Sequence, residues 1–215
     1  MSVMNQWCSV ILSGGRSSRM GSSKALLSIN GMTMIERLTS LADGLPGETI
    51  IISNPSDEQK IKALCGDRAE VVLDEPSFQG EGPLAGMLTA MTRCKADWYM
   101  VLSNDMPYID HAFLNGLKHH VESHQPFADF EAYVPEQDGR IHPFPGVYRD
   151  QASRIEELLR RKRKSIRSLL DNIRSSLIPE QVWNRWSAAA DPFFNMNTPE
   201  DLKVFRQKGE HRGGA

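Results

Sequence analysis

Four mainly apolar runs restrict this chain more than any other feature, because each stops abruptly at turn residues and is followed by a helix-like stretch. Residues 10–12 end at Ser13-Gly14-Gly15, and residues 49–53 at Asn54-Pro55. Residues 69–73 end at Asp74-Glu75-Pro76, and residues 98–102 at Ser103-Asn104-Asp105-Met106-Pro107. Continuous apolar runs, as opposed to alternating ones, belong to strands buried on both faces. Between them, residues 33–41 carry Met34, Ile35, Leu38 and Leu41 at helical spacing, residues 57–64 supply a second helix, and residues 84–91 a third with Pro83 at its first position. The alternation predicts an α/β fold: a doubly wound, mostly parallel sheet. Such sheets bind ligands outside the carboxyl ends of their strands. Gly14, Asn54, Asp74 and Asp105 all fall just past strand ends, so four separate segments are expected to face one crevice.

The second half is less regular. It predicts a helix over 112–121, a strand over 131–134, a turn at Asp138-Gly139 and a returning strand over 141–148. A helix over 155–170, a loop over 187–191 and a last helix follow; Thr198 is the expected cap, with Pro199 first and Asp201 at the third position. Asn30-Gly31 reads as a tight turn and residues 209–215 as a frayed tail. With no repeats and no linker, residues 1–215 are expected to form one domain.

Composition removes several function classes. The formal net charge is -2, so no global field draws in nucleic acid or an anionic membrane. Cys8, Cys65 and Cys94 form no C-x-x-C pair, which speaks against a disulfide framework or a zinc knuckle. The start resembles no signal peptide and no apolar stretch is long enough to span a bilayer, so a cytoplasmic location is expected. His120 and His124 are four apart on a helix without H-E-x-x-H, and are read as a solvated face. The basic run over 160–164 is either a solvated face or a site for a phosphate or an acidic partner.

Any anionic substrate must therefore meet local cations. The segment 12–24, L-S-G-G-R-S-S-R-M-G-S-S-K, offers glycines that let an anion approach main-chain N–H groups, then Arg19 and Lys24 at a reach suited to phosphate oxygens. It is neither a P-loop nor a dinucleotide fingerprint. Asp105 ends a buried run, where a carboxylate needs a partner or a role. It either caps a helix beginning near Tyr108 or holds a magnesium ion, which binds through one or two carboxylates plus substrate phosphates. Capping accounts for Thr198 to Asp201 without a site. Asn195 and Asn197 are left over, able to face phosphate or metal-bound water.

The segment 12–24 resembles the nucleotidyltransferase opening L-x-G-G-x-S-x-R-M-G-x-x-K, in particular that of the molybdenum cofactor guanylyltransferase (MobA) family. L-S-N-D-M-P over 102–107 resembles the D-x-P element whose Asp holds the metal. G-P-L-A-G-M over 82–87, N-M-N-T-P-E-D-L over 195–202 and H-P-F-P-G-V-Y over 142–148 are similar to further segments of that family. Ser13 stands where Ala is usual. The resemblance implies a Rossmann-like nucleotidyltransferase fold whose N-terminal half binds nucleotide and whose C-terminal half binds the acceptor. It implies transfer of GMP from GTP to molybdopterin, releasing pyrophosphate, with Mg²⁺ on Asp105. Arg19, Lys24 and Asp105 would be catalytic. Leu12, Ser13, Gly14, Gly15, Lys24, Asn54, Asp74, Gly82 and Asp105 would bind nucleotide, and Asp74 could accept both guanine N1–H and N2–H. His142, Asn195 and Asn197 would meet the acceptor. The expected state is a monomer in transient contact with molybdoenzyme-maturation proteins. A cytidylyltransferase acting on molybdopterin or on an isoprenoid or sugar phosphate, and a catalytically silent nucleotide-binding regulator, are the competing readings.

Overall fold

The computed structural model describes residues 6–14, 23–29, 31–124, 129–187, 189 and 191–210. The N-terminal half runs β1 (Trp7–Leu12), the short hairpin strands β2 (Ser28–Ile29) and β3 (Met32–Thr33), α1 (Met34–Asp43), β4 (Glu48–Ser53), α2 (Glu58–Cys65), β5 (Glu70–Leu73), α3 (Pro83–Arg93) and β6 (Trp98–Ser103). Then come α4 (His111–His124), β7 (Ala132–Gln137), β8 (Arg140–Ile141), β9 (Gly146–Tyr148), α5 (Ala152–Arg160), α6 (Ile166–Leu170), β10 (Ser175–Pro179), α7 (Glu180–Trp183) and α8 (Pro199–Glu210).

The main sheet is ordered β10-β7-β9-β6-β1-β4-β5, with β8 paired to β7. β1, β4, β5 and β6 are parallel, as is the β7–β10 pair; β9 runs antiparallel to both β6 and β7. Successive side chains of a strand point to opposite faces. Trp7 and Ile11 accordingly pack in one core with α1, α2 and α4, while Cys8 and Val10 pack in a second with α3, α5 and α6. Both faces are covered, which is why the strands read as unbroken apolar runs. The fold is α/β with a mostly parallel, doubly covered sheet, as the alternation predicts.

Local chemistry sets the element ends. Thr33 and Glu36 form a capping box at α1: each side chain accepts the other's backbone N–H. Three expectations are corrected. The helix expected over 155–170 is two helices, because Lys162 takes a φ of 60° and Ser165 caps a new start at α6. The returning strand expected over 141–148 is broken between β8 and β9, where Pro143 to Pro145 leave the ladder. β10 lies in a stretch given no element, since as a sheet edge it buries only Ile178 and leaves Leu177 47% exposed.

Candidate active site

The chain enters the sheet at β1, moves outward through β4 and β5, then returns to the other side of β1 as β6. This reversal opens a crevice at the carboxyl ends of β1 and β6, the place where open α/β sheets take ligands. A cavity of about 770 Å³ sits there. Its lining follows the sheet order. Asp74 comes just after β5, Ile52 from β4, Leu12 and Gly14 from the β1 tip, Ser103 to Met106 from the β6 tip, and His142 to Phe144 from the connection into β9. Because β9 is antiparallel to β6, pairing Val101 with Gly146, the residues before β9 fall on the same edge as the β6 tip.

Asp105 is where the segments meet. Its Oδ1 accepts a 2.7 Å hydrogen bond from the Ser103 hydroxyl, and its Oδ2 lies 3.9 Å from Lys24 Nζ. Lys24 Nζ also donates to Asn197 Oδ1 at 2.5 Å. The capping alternative is set aside: α4 starts at His111, and the carboxylate that accepts Phe113 N–H there is Asp110.

The last segment is brought in by a small core. Met196 is fully buried with Ile29, Met34 and Phe205, against Tyr108 and Leu202. Its N–H donates to the Asp105 carbonyl at 2.7 Å. Asn195 and Asn197, on either side of that anchor, both line the cavity. Asp201 accepts from the N–H groups of Asn197 and Thr198, and the Thr198 hydroxyl accepts in return from Asp201 N–H, which is the cap expected at this helix. These bonds hold the Asp201 carboxyl below its usual range.

At the other end, Asp74 is half-buried. Its Oδ2 accepts from Gly80 N–H at 3.1 Å, and its Oδ1 is buried without a hydrogen-bond partner among the described residues. Burial raises its pKa, and the Gly80 bond only partly offsets the rise. A buried acceptor left unmade is expensive. Gly82, just before α3, has a φ of 86°, a region open to glycine and strained for other residues. Gly86 lets α3 approach the sheet closely: a Cβ there would lie 2.7 Å from Leu12 Cδ2. His142 is buried, stacked on Phe193 at 4.0 Å; desolvation, with nearby Arg140, pushes its pKa down, so the imidazole is neutral at pH 7.

A family model for the MobA-like NTP transferase domain matches residues 9–177. The chain belongs to that family. A relative from Bacillus cereus, named a probable molybdenum cofactor guanylyltransferase, is 32% identical over 200 residues, spanning 92% of this chain and 94% of its own. The solved molybdopterin-guanine dinucleotide biosynthesis protein A of Archaeoglobus fulgidus has a TM-score of 0.78 at 21% identity, over 95% of this chain and 99% of that one. A solved CMP:2-keto-3-deoxy-manno-octonic acid synthetase, complexed with CTP, has a TM-score of 0.67 at 18% identity, over 96% and 99%. These two show a shared fold.

In this member of the MobA-like family, the cavity gathers Leu12, Gly14, Lys24, Asp74, Gly82, Asp105, His142, Asn195 and Asn197 from the residues singled out by sequence. Two others stay out of its lining. Ser13 is buried within 3.4 Å of the Asn104 amide nitrogen, which donates to its hydroxyl; Asn54 spends its side chain on the turn before α2, accepting from Asp57 N–H and donating to the Asp57 carboxylate. Gly15 and Arg19 lie outside the described residues. Arg140 was not foreseen; it lines the cavity as an exposed cation just past the Asp138-Gly139 turn, and that turn was its only signal. His120 corrects the solvated-face reading. Its ring lies against Trp186 and edge-on to Tyr133, and burial, with His124 nearby, pushes its pKa down to about 4.

Proposed function

We propose that the chain is a molybdenum cofactor guanylyltransferase, joining GMP from GTP to the terminal phosphate of molybdopterin with release of pyrophosphate. The observation that carries this reading is the junction of Lys24, Asp105 and Asn197 at the β6 tip, between a glycine-rich, carboxylate-bearing end and a His142-bearing end of one cavity. The family and its guanylyltransferase relatives support the same reaction.

The acceptor's phosphate oxygen forms a bond to the α-phosphorus of GTP, and the bond from that phosphorus to the β-bridging oxygen breaks, pyrophosphate leaving with the electron pair. A phosphate monoester has a second pKa near about 6, so the nucleophile is largely ionised at neutral pH and needs no general base. The difficulty is holding two anions together, which calls for positioning and fixed charge. Lys24 takes charge on the α-phosphate and the leaving pyrophosphate, with Arg19 assigned the same task from the sequence. Asp74, with one oxygen unpartnered, accepts from the donor edge of guanine. His142 and Arg140 border the acceptor, Arg140 as a cation for its phosphate.

The residues present fit a magnesium ion. Asp105 offers one carboxylate to a cavity that Asn195 and Asn197 also line, and among the described residues no group of three or more His, Cys, Asp or Glu forms a metal cage. That is the donor set of a hard cation that completes its shell with phosphates and water. When bound on Asp105, the ion would neutralise phosphate charge. Among the described residues no helix is long and apolar enough to cross a membrane.

Pyrophosphate release measured with each of the four NTPs, with molybdopterin as acceptor and Mg²⁺ present, tests the reading. Release with a strong preference for GTP is expected. Strict use of CTP would make the chain a cytidylyltransferase, and GTP binding without release a silent regulator.

A further inference from the structure

The basic run at 160–164 is not a free field of charge. Arg160 pairs with Glu156 and Arg161 with Glu157 along α5. Lys162, turned by its positive φ, comes within 3.9 Å of Glu81, and Lys164 makes a closer ion pair with the same carboxylate. Two cations from the α5–α6 turn thus converge on one acid of a loop distant in sequence, where α3 packs against α5.

The position of that acid matters. Glu81 lies between Gly80 and Gly82, which both line the cavity, while Glu81 does not. Gly80 supplies the N–H that holds Asp74 Oδ2, with a φ of 72°; Gly82 immediately precedes α3 with a φ of 86°, and among the described residues no side chain caps that start. Glycine loses more conformational freedom on ordering than any other residue, and this loop carries two. Glu81 is the one side chain in this three-residue loop by which the rest of the protein can grip it. Exposed ion pairs add little to global stability, so the expected effect is on local placement.

We propose that Glu81, clasped by Lys164 and Lys162, is a positioning residue for base selection: it fixes the Gly80–Gly82 loop so that Gly80 N–H occupies one oxygen of Asp74 and leaves the other for the base. This rests on the reading of Asp74 given above.

Steady-state kinetics of Glu81→Gln, Lys164→Met, Lys164→Arg and Asp74→Asn with GTP and ATP test it, with Lys95→Met, which removes a surface pair to Asp150 away from the cavity, as the control. Glu81→Gln and Lys164→Met should each raise KM for GTP about fivefold and lower the GTP-to-ATP ratio of kcat/KM, with kcat changed by less than about twofold. Lys164→Arg should retain the parent values, and the control should move none of them. If Asp74→Asn loses base selectivity while Glu81→Gln keeps it, the clasp is wrong and the base reading stands. If Asp74→Asn keeps selectivity, the base reading fails and the clasp with it. A raised KM in Lys164→Met without one in Glu81→Gln would mean that Lys164 meets the nucleotide itself, which also overturns the clasp.

Discussion

At the Asp74 end, the cavity is lined by the tips of parallel strands and by loop backbone: Gly14, Gly80 and Gly82 present main chain, and one carboxylate with an unmade hydrogen bond stands among them. At the His142 end, the lining comes from side chains on a connection that leaves the ladder between β8 and β9, with a buried imidazole stacked on Phe193 and an exposed guanidinium beside it. The first end is shaped before any ligand arrives, because the two cores fix the strands that carry it. The second takes its shape from packing by late segments of the chain. A nucleotide, whose base must be chosen among similar ones, suits the first; an acceptor recognised by bulk and one phosphate suits the second.

Four substitutions break or sharpen that contrast. Asp105→Ala strikes the junction shared by both ends. It should lower kcat at least about a hundredfold, as for the loss of one preorganised electrostatic group, with an unchanged Tm. Lys24→Met removes the cation of the same junction and should cost about tenfold to a hundredfold in kcat/KM for both substrates. Selective loss toward one substrate would place Lys24 at one end only. His142→Phe keeps the ring stacked on Phe193 but deletes its nitrogens. It should raise KM for the acceptor about tenfold while KM for GTP stays put; a GTP effect of equal size would dissolve the division between ends.

The smallest effect concerns stability. Burial raises the Asp74 pKa, so the folded chain binds that proton more tightly than the unfolded one. Stability tied to this group is therefore lost as pH rises from the ordinary carboxylate value through the raised one. Asp74→Asn should melt higher than the parent at pH 7, with the gap closing near about pH 4. A constant gap across that range would show that the carboxylate bears no ionisation penalty.

The Asp74 end was legible in the sequence because strands buried on both faces declare themselves as unbroken runs and their terminal polar residues stand out. Gly14, Asp74 and Asp105 could be placed at one edge from that pattern alone. Asn54 sits at an equivalent strand end yet turns to cap its own loop, a choice between local and ligand hydrogen bonds that spacing does not encode. The other end was harder. β10 is a sheet edge with one buried side chain, His120 lies partly among aromatic rings from two distant segments, and the α5–α6 break depends on one positive φ at Lys162. Arg140 reaches the cavity only because β8 pairs with β7, a contact no periodicity marks.

A crystal structure with GTP and magnesium bound tests the division of the cavity most directly. The guanine edge is expected against Asp74 and the Gly80–Gly82 loop, with the α-phosphate at Lys24 and the ion on Asp105. A base lying instead against His142 and Phe144, with phosphates remote from Lys24, would contradict that division.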